Sequence, residues 1–323
     1  MANVDQIATI DGRHEQHPAA LLLGARASRR YARSDRPWVW LLPVILLLLI
    51  IGIYPFLYNI WNSFREFNPM TGRIEPVGFE NWQRLIQEMV APGGRVRAAL
   101  TTTAIYVGSA LVIEFVLGLA IAVLLNSGVW GAGLWQSLMI LPMVVPPTVA
   151  AVMFKVLENP DYGALAYYLQ QFGITDKVEP LLGGTGKYAI QAVLIPDIWQ
   201  WTPFFVLILL AGLKALPSEP LEAAQVDGAT SWQTFWTVTL PMLRPMIAVA
   251  VLFRLVDLLK VFDYVFVLTS GGPGTRTEVI SFYAYQRSFT TIEWGYGSVL
   301  GLLIFVLAIL VANLFVRVFK VGW

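Results

Sequence analysis

The chain has 323 residues, of which 57% are hydrophobic and 13% charged, with a mean hydropathy of +0.63. That is too apolar for a soluble domain of this length and reads as a protein of the lipid bilayer. A net charge of +1 argues against a nucleic-acid partner, the absence of cysteine excludes disulfides and thiolate metal sites, and the 2 histidines, His14 and His17, leave metal catalysis almost no ligands.

Residues 1–37 read as a cytoplasmic N-terminal arm, with a short helix over Ala19–Arg30 and a cluster of Arg26, Arg29, Arg30, Arg33 and Arg36. Ser28-Arg29-Arg30-Tyr31 is faintly similar to a twin-arginine signal. The apolar run after it is too long for a signal peptide and lacks a small-residue cleavage site, so it stays as the first helix. Six apolar segments suffice to cross a bilayer, which takes about 20 helical residues. They lie near Trp38–Trp61, Thr103–Leu125, Gly133–Val156, Ala189–Leu213, Met246–Leu268 and Gly297–Val316. Residues 38–323 are therefore expected to form one all-α, polytopic transmembrane domain. An even number of spans puts both termini on one side, and the arginine cluster puts that side in the cytoplasm. The other loops add little; Asn126–Ala132 has neither Lys nor Arg.

Between spans, Asn62–Leu100 is expected as a small outer cap, with Phe79-Glu80-Asn81-Trp82 leading into a helix near Gln83–Met89. Tyr162–Lys187 makes a second outer segment. Its Gly183-Gly184-Thr185-Gly186-Lys187 is superficially like a phosphate loop, but Leu181 stands where the pattern needs its first glycine and Tyr188 where it needs Ser or Thr. No cofactor site is expected in this chain.

The polar stretch at about 214–245 is different. Leu216-Pro217-Ser218 ends the fourth span and offers Ser218 as a helix N-cap; Pro220 is tolerated in the first turn, and Glu219 and Glu222 suit the positive helix end. Asp227-Gly228 stops that helix, because glycine takes the left-handed conformation at little cost, and Thr230 or Ser231 can cap a second one. Two short helices around a glycine, in water between two membrane spans, read as a docking device.

Ionisable side chains at membrane depth cost at least a few kcal/mol each, so they face a bundle interior, a partner or a watery path. Glu114, Asp197, Arg254, Asp257, Lys260 and Asp263 are of this kind. The last four alternate in sign at three-residue spacing along the fifth span, so successive members can pair. Either part of this stripe lines a translocation path and binds a polar solute, or the charges satisfy one another as structural glue. For a path, Asp263 between Phe262 and Tyr264 is the foremost candidate, because an acid beside aromatics makes a face for a sugar; Asp257 and Glu114 stand with it. Trp199 and Trp201 flank the fourth span's Thr202-Pro203, and Pro142, Pro146 and Pro147 interrupt the third. They point to a cavity between those spans, or else to interfacial tryptophans and plain kinks.

Two rival classes fare worse. A secondary transporter or channel using the fifth span as an ion relay predicts inverted repeats with broken helices at matching positions, which the sequence does not display. A membrane enzyme needs a convergent nucleophile, base or metal cluster, and the chain has no cysteine and no membrane histidine.

Glu222-Ala223-Ala224, Gly228 and Leu240-Pro241, with Val238 where isoleucine is more usual, fall at the spacing of the EAA motif and resemble the permease subunits of bacterial ABC importers. Val261-Phe262-Asp263-Tyr264, Leu268-Thr269-Ser270-Gly271-Gly272-Pro273-Gly274, Thr277-Glu278 and Gly295-Tyr296-Gly297 are similar to the carbohydrate-uptake branch, the permeases of maltose and glycerol-phosphate type. Glu80-Asn81-Trp82 and Asn159-Pro160-Asp161-Tyr162-Gly163 also fit, and the resemblance runs from about Trp38 to the C-terminus. It implies a type I ABC importer permease fold and a non-enzymatic subunit. Glu222, Ala223, Ala224, Asp227 and Gly228 would form a coupling helix, held to the fifth span by Leu240 and Pro241. The solute would be a sugar or sugar derivative, with a polyol or glycerol-phosphate as alternatives. The implied partners are a second homologous permease in a heterodimer, an ATPase dimer that binds ATP and Mg, an extracytoplasmic solute-binding protein and the lipid of a bacterial inner membrane. One EAA loop against the two clefts of an ATPase dimer is what requires the second permease.

Overall fold

The computed structural model describes residues 37–177 and 179–319. The arginine cluster, both histidines and the helix expected over Ala19–Arg30 lie outside the described residues. The chain divides at Tyr58–Asn59. Before that point, α1 (Pro37–Leu48), a π-turn over Leu49–Ile53 and the first part of α2 (Tyr54–Asn62) form an apolar helix whose large side chains are exposed. The helix over Trp40–Asn62 is long and apolar enough to cross a bilayer. A helix that is apolar all round suits lipid rather than water.

From Asn59 onward, three further unbroken spans are α4 (Arg95–Asn126), α8 (Ala189–Lys214) and α13 (Trp294–Phe319), a fourth runs continuously over Ser231–Leu258, and the short helices α7 (Ala164–Gln171) and α12 (Ile280–Tyr285) precede α8 and α13. The expected third span is instead a bent pair, α5 (Ala132–Val144) and α6 (Pro147–Leu157), meeting at 96°, which brings the spans among the described residues up to 6 if the pair is counted as one. The bend has a local cause. Pro146 and Pro147 donate no amide, and a residue that precedes proline is pushed out of the helical region, so Val145 is extended at φ −69°, ψ 127°.

The fifth span also departs from expectation, beginning earlier than Met246 and ending before Leu268. Its last helix, α11 (Leu240–Leu258), stops at Leu258, the chain unwinds through Leu259–Phe262, and a π-turn follows over Val265–Thr269. The hydroxyl of Ser281 takes up the released carbonyl of Val261. At the core, α4 and α8 approach so closely that a Cβ on Gly118 would lie 2.3 Å from the Cβ of Phe205. Only glycine fits there without moving a helix.

At the bundle end opposite residues 219–239, a small hairpin that the sequence did not announce joins the expected helix. Strands β1 (Arg65–Asn68) and β2 (Arg73–Pro76) pair antiparallel, with Arg65 opposite Pro76, and α3 (Glu80–Val90) follows. Asn81 is buried and donates to the carbonyls of Ser63 and Arg65 at 3.2 and 3.1 Å, while the Trp82 indole donates to the Ser63 hydroxyl. Glu66 accepts from the first amides of α13, those of Gly295 and Tyr296, at 3.2 and 3.0 Å, where the helix dipole favours a carboxylate. A Cβ on Gly295 would sit 1.6 Å from the Arg65 carbonyl oxygen, which explains a glycine there. Arg95, at the start of α4, holds Glu278 through two hydrogen bonds of 2.8 and 2.5 Å.

Just past α6, Glu158 is fully buried and neither carboxyl oxygen has a hydrogen-bond partner among the described residues. Burial pushes its pKa from the ordinary 4.5 to about 9. A carboxyl that holds its proton more tightly when folded weakens the fold as pH rises from about 4.5 to about 9, by up to about 1.4 kcal/mol per pH unit. Glu158→Gln, which removes the titration, is therefore expected to raise the melting temperature more at pH 8 than at pH 5. Thermal unfolding of the purified protein at the two pH values checks this; an equal shift at both would mean the carboxyl is not held neutral.

Candidate functional site

Two features stand out, one at an end of the bundle and one inside it. At the end, α9 (Glu219–Val226) follows Ser218, whose side chain makes no capping bond, with Pro220 in its first turn and Glu222 and Ala223 exposed. Its C-terminus closes as a Schellman motif. The amide of Ala229 donates to the Ala224 carbonyl and that of Gly228 to Gln225, both at 3.0 Å, and Gly228 takes φ +79° as the motif requires. Thr230 then opens α10 (Ser231–Thr234) with a reciprocal capping box to Gln233. A π-turn over Phe235–Thr239, in which Leu240 donates to Phe235, leads into α11 at Leu240-Pro241. A wider turn suits a proline that cannot donate to the turn before it. Val226 and Trp232 on this segment are 87% and 70% exposed, an apolar surface that a lone chain leaves bare.

Inside the bundle, Arg254 on α11 is 2% exposed and gathers carboxylates from three spans. Its Nε and Nη2 donate to Glu114 on α4 at 2.7 and 2.8 Å, Nη2 also to Asp197 on α8 at 2.6 Å, and Nη1 to Asp257 at 2.8 Å. The Tyr106 hydroxyl donates to the other oxygen of Asp197 at 2.9 Å, and the Trp201 ring lies 4.7 Å from the guanidinium carbon. Such a knot repays the desolvation of its charges only when every member is bonded, as here.

Beside the knot lies a cavity of about 250 Å³, lined by Pro147, Trp201, Asp257, Lys260, Phe262, Asp263 and Tyr264, with Asp197, Arg254 and Val261 in its wall. Both helix breaks meet at it. Thr148, beside Pro147, donates to Asp263 at 2.7 Å; Gln200 donates to the Val145 carbonyl freed by the bend at 2.6 Å, and its own oxygen accepts from the Tyr264 hydroxyl. Irregular backbone at membrane depth survives where side chains re-satisfy it in this way.

The cavity thus brings together Asp257, Asp263, Phe262, Tyr264 and Trp201 of the expected path residues. Glu114 lies fully buried behind Arg254. Trp199 packs on Phe154 and lines a separate, apolar cavity of about 340 Å³ with Trp135, Pro142 and Thr202, which is the hollow expected between the third and fourth spans. Along the charged stripe Arg254 pairs with Asp257, and Asp257 with Lys260 at 3.5 Å, but Asp263 turns to Thr148 because the helix has already unwound. Sequence reasoning missed Gln200, Tyr106 and Thr148. Asp197 and Gln200, three residues apart on one apolar helix, were the available signal.

This arrangement of bent spans and an exposed two-helix hairpin matches known proteins. The model of the binding-protein-dependent transport system inner membrane component matches residues 114–321. A probable ABC transporter permease protein of Sinorhizobium fredii is 35% identical over 89% of this chain and 91% of its own length. The trehalose/maltose transport system permease protein of Thermococcus litoralis is 32% identical over 90% of this chain and 95% of its own. A crystal structure of a bacterial ABC transporter involved in import of the acidic polysaccharide alginate has the same fold, with a TM-score of 0.75 at 24% identity over 91% of this chain and 98% of that one.

The chain belongs to the family of inner-membrane components of binding-protein-dependent transport systems, the ABC importer permeases. It is a multi-pass inner-membrane subunit with the type I importer fold.

Proposed function

We propose that this chain is one of two permease subunits of an ATP-driven importer of a sugar or sugar derivative, and that residues 219–241 pass the motion of a separate ATPase to the solute path. The observation that carries the proposal is the helix over Ser231–Leu258, which joins the exposed hairpin at one end to the charged cavity at the other. Glu222, Ala223 and Ala224 dock into a cleft of the ATPase, which binds ATP and Mg; Asp227 and Gly228 fix the bend, and Leu240 and Pro241 tie it to the span. Movement of α9 is then movement of Arg254, and through its carboxylates of α4 and α8, so three spans shift as one body. With the hairpin facing a cytoplasmic ATPase, the proposal has both termini on the cytoplasmic side. A second, different permease supplies the other half of the path and the second docking loop, and a solute-binding protein delivers from the far side.

Asp257 and Asp263 suit sugar hydroxyls as acceptors, and Trp201 and Phe262 add aromatic rings to the lining. An ion-coupled carrier accounts less well for the same features. The breaks lie in the third and fifth spans, which a three-plus-three inverted repeat does not equate.

Reconstitution of the full complex, with solute-stimulated ATP hydrolysis and uptake measured over a panel of solutes, tests the proposal. Asp263→Asn is expected to lower saccharide uptake by about tenfold or more, the worth of a hydrogen bond to a charged group. Normal uptake in that variant would remove Asp263 from the path.

A further inference from the structure

The charges around the cavity say more about the solute than that it is polar. Recognition of a carboxylate, sulfonate or phosphate calls for a free cationic fork, best the parallel N–H groups of a guanidinium. Arg254 has none to give. Its hydrogen bonds to Glu114, Asp197 and Asp257 occupy both N–H groups of Nη2, that of Nε and one of Nη1, which leaves a single N–H out of about five. The remaining cation in the lining, Lys260, is exposed but already faces Asp257 at 3.5 Å. Lys155, on the neighbouring α6, donates to the Val267 carbonyl and is not in the lining. Against these stand Asp257, partly open at 29%, and Asp263, whose Oδ1 is bonded by Thr148 and whose other oxygen has no donor among the described residues. The surface offered to a solute is one of acceptors.

Building on the sugar-import proposal above, we propose that this cavity selects uncharged polyhydroxylated solutes, whose hydroxyls donate to Asp257 and Asp263, and rejects saccharides that bear carboxylate, sulfonate or phosphate groups. An anion placed there meets two carboxylates at short range and must compete with Asp257 for Lys260. The resulting discrimination is expected to be about tenfold to a hundredfold in affinity. In this proposal Asp257 and Asp263 set specificity, and Arg254 serves to hold the carboxylates in place.

The test measures solute binding to the detergent-purified complex of this chain with its permease and ATPase partners, without the binding protein, so that only the membrane cavity discriminates. The probes are a neutral disaccharide, its uronic-acid counterpart and glycerol phosphate. Wild type is expected to bind the neutral disaccharide at least tenfold more tightly than either anion. The double variant Asp257→Asn/Asp263→Asn should narrow the gap to threefold or less, and Lys260→Gln, at an exposed side chain, should widen it. Equal or tighter binding of an anionic saccharide by wild type, or an unchanged gap in the double variant, would overturn the charge selection while leaving sugar import standing. If transport by the complete system responds to amino acids and to no saccharide, sugar import itself falls and the selection proposed here falls with it.

Discussion

Arg254→Met is expected to be the most damaging single change in the bundle. It leaves Glu114 and Asp197 fully buried with no cation and strips Asp257 of its nearest partner, a class of change that costs about 3–5 kcal/mol. In melting temperature that is a drop of roughly 10 °C, or failure to accumulate in the membrane. The loss should be specific to the unpaired charges. Adding Glu114→Gln and Asp197→Asn to Arg254→Met is expected to recover part of it, because the members of one network are far from additive. Membrane yield and thermal unfolding of the solubilised single and triple variants decide the matter. A single variant as stable as wild type would show that the knot does not hold the three spans together.

Gly228→Pro should have the largest effect on transport with the least on the fold. Proline fixes φ near −65° where Gly228 sits at +79°, and it removes the amide that bonds to the Gln225 carbonyl, so the Schellman closure of α9 is lost. No side chain crowds this position. The change is therefore confined to the hairpin. Uptake and solute-stimulated ATP hydrolysis are expected to fall by about a hundredfold, the consequence of a coupling element misplaced by a few ångströms, with the melting temperature of the bundle little altered. Gly228→Asn, which tolerates the left-handed conformation, should keep much of the activity. Glu222→Lys reverses an exposed charge and should uncouple without unfolding. Unchanged hydrolysis and uptake in Gly228→Pro and Glu222→Lys would show that this hairpin does not transmit the motion.

What was legible in the sequence was local. The bend at Gly228 and the cap at Thr230 are set by residues within a few positions of each other, as is the break at Pro146-Pro147, so composition alone exposes them. The knot is not local. Glu114 and Arg254 are 140 residues apart, and spacing along the fifth span shows only the pairing of Arg254 with Asp257. The unwinding at Leu259–Phe262 carries neither proline nor glycine to mark it. Its released Val261 carbonyl accepts from the hydroxyl of Ser281, 20 residues further on. Trp199 and Trp201 looked equivalent because both stand just before Thr202-Pro203, yet residues two apart on a helix point to different faces, and of the two Trp201 reaches Arg254.

The knot also constrains how this protein can have changed over time. Glu114, Asp197, Arg254 and Asp257 form one electrostatic unit spread over three helices, so replacing Arg254 alone leaves Glu114 and Asp197 as unpaired buried charges. On these grounds Arg254 is expected to change only together with Glu114 and Asp197. A lineage that acquired a taste for a different solute would find it easier to alter the rim, at Lys260 or Asp263, than to touch the residues beneath.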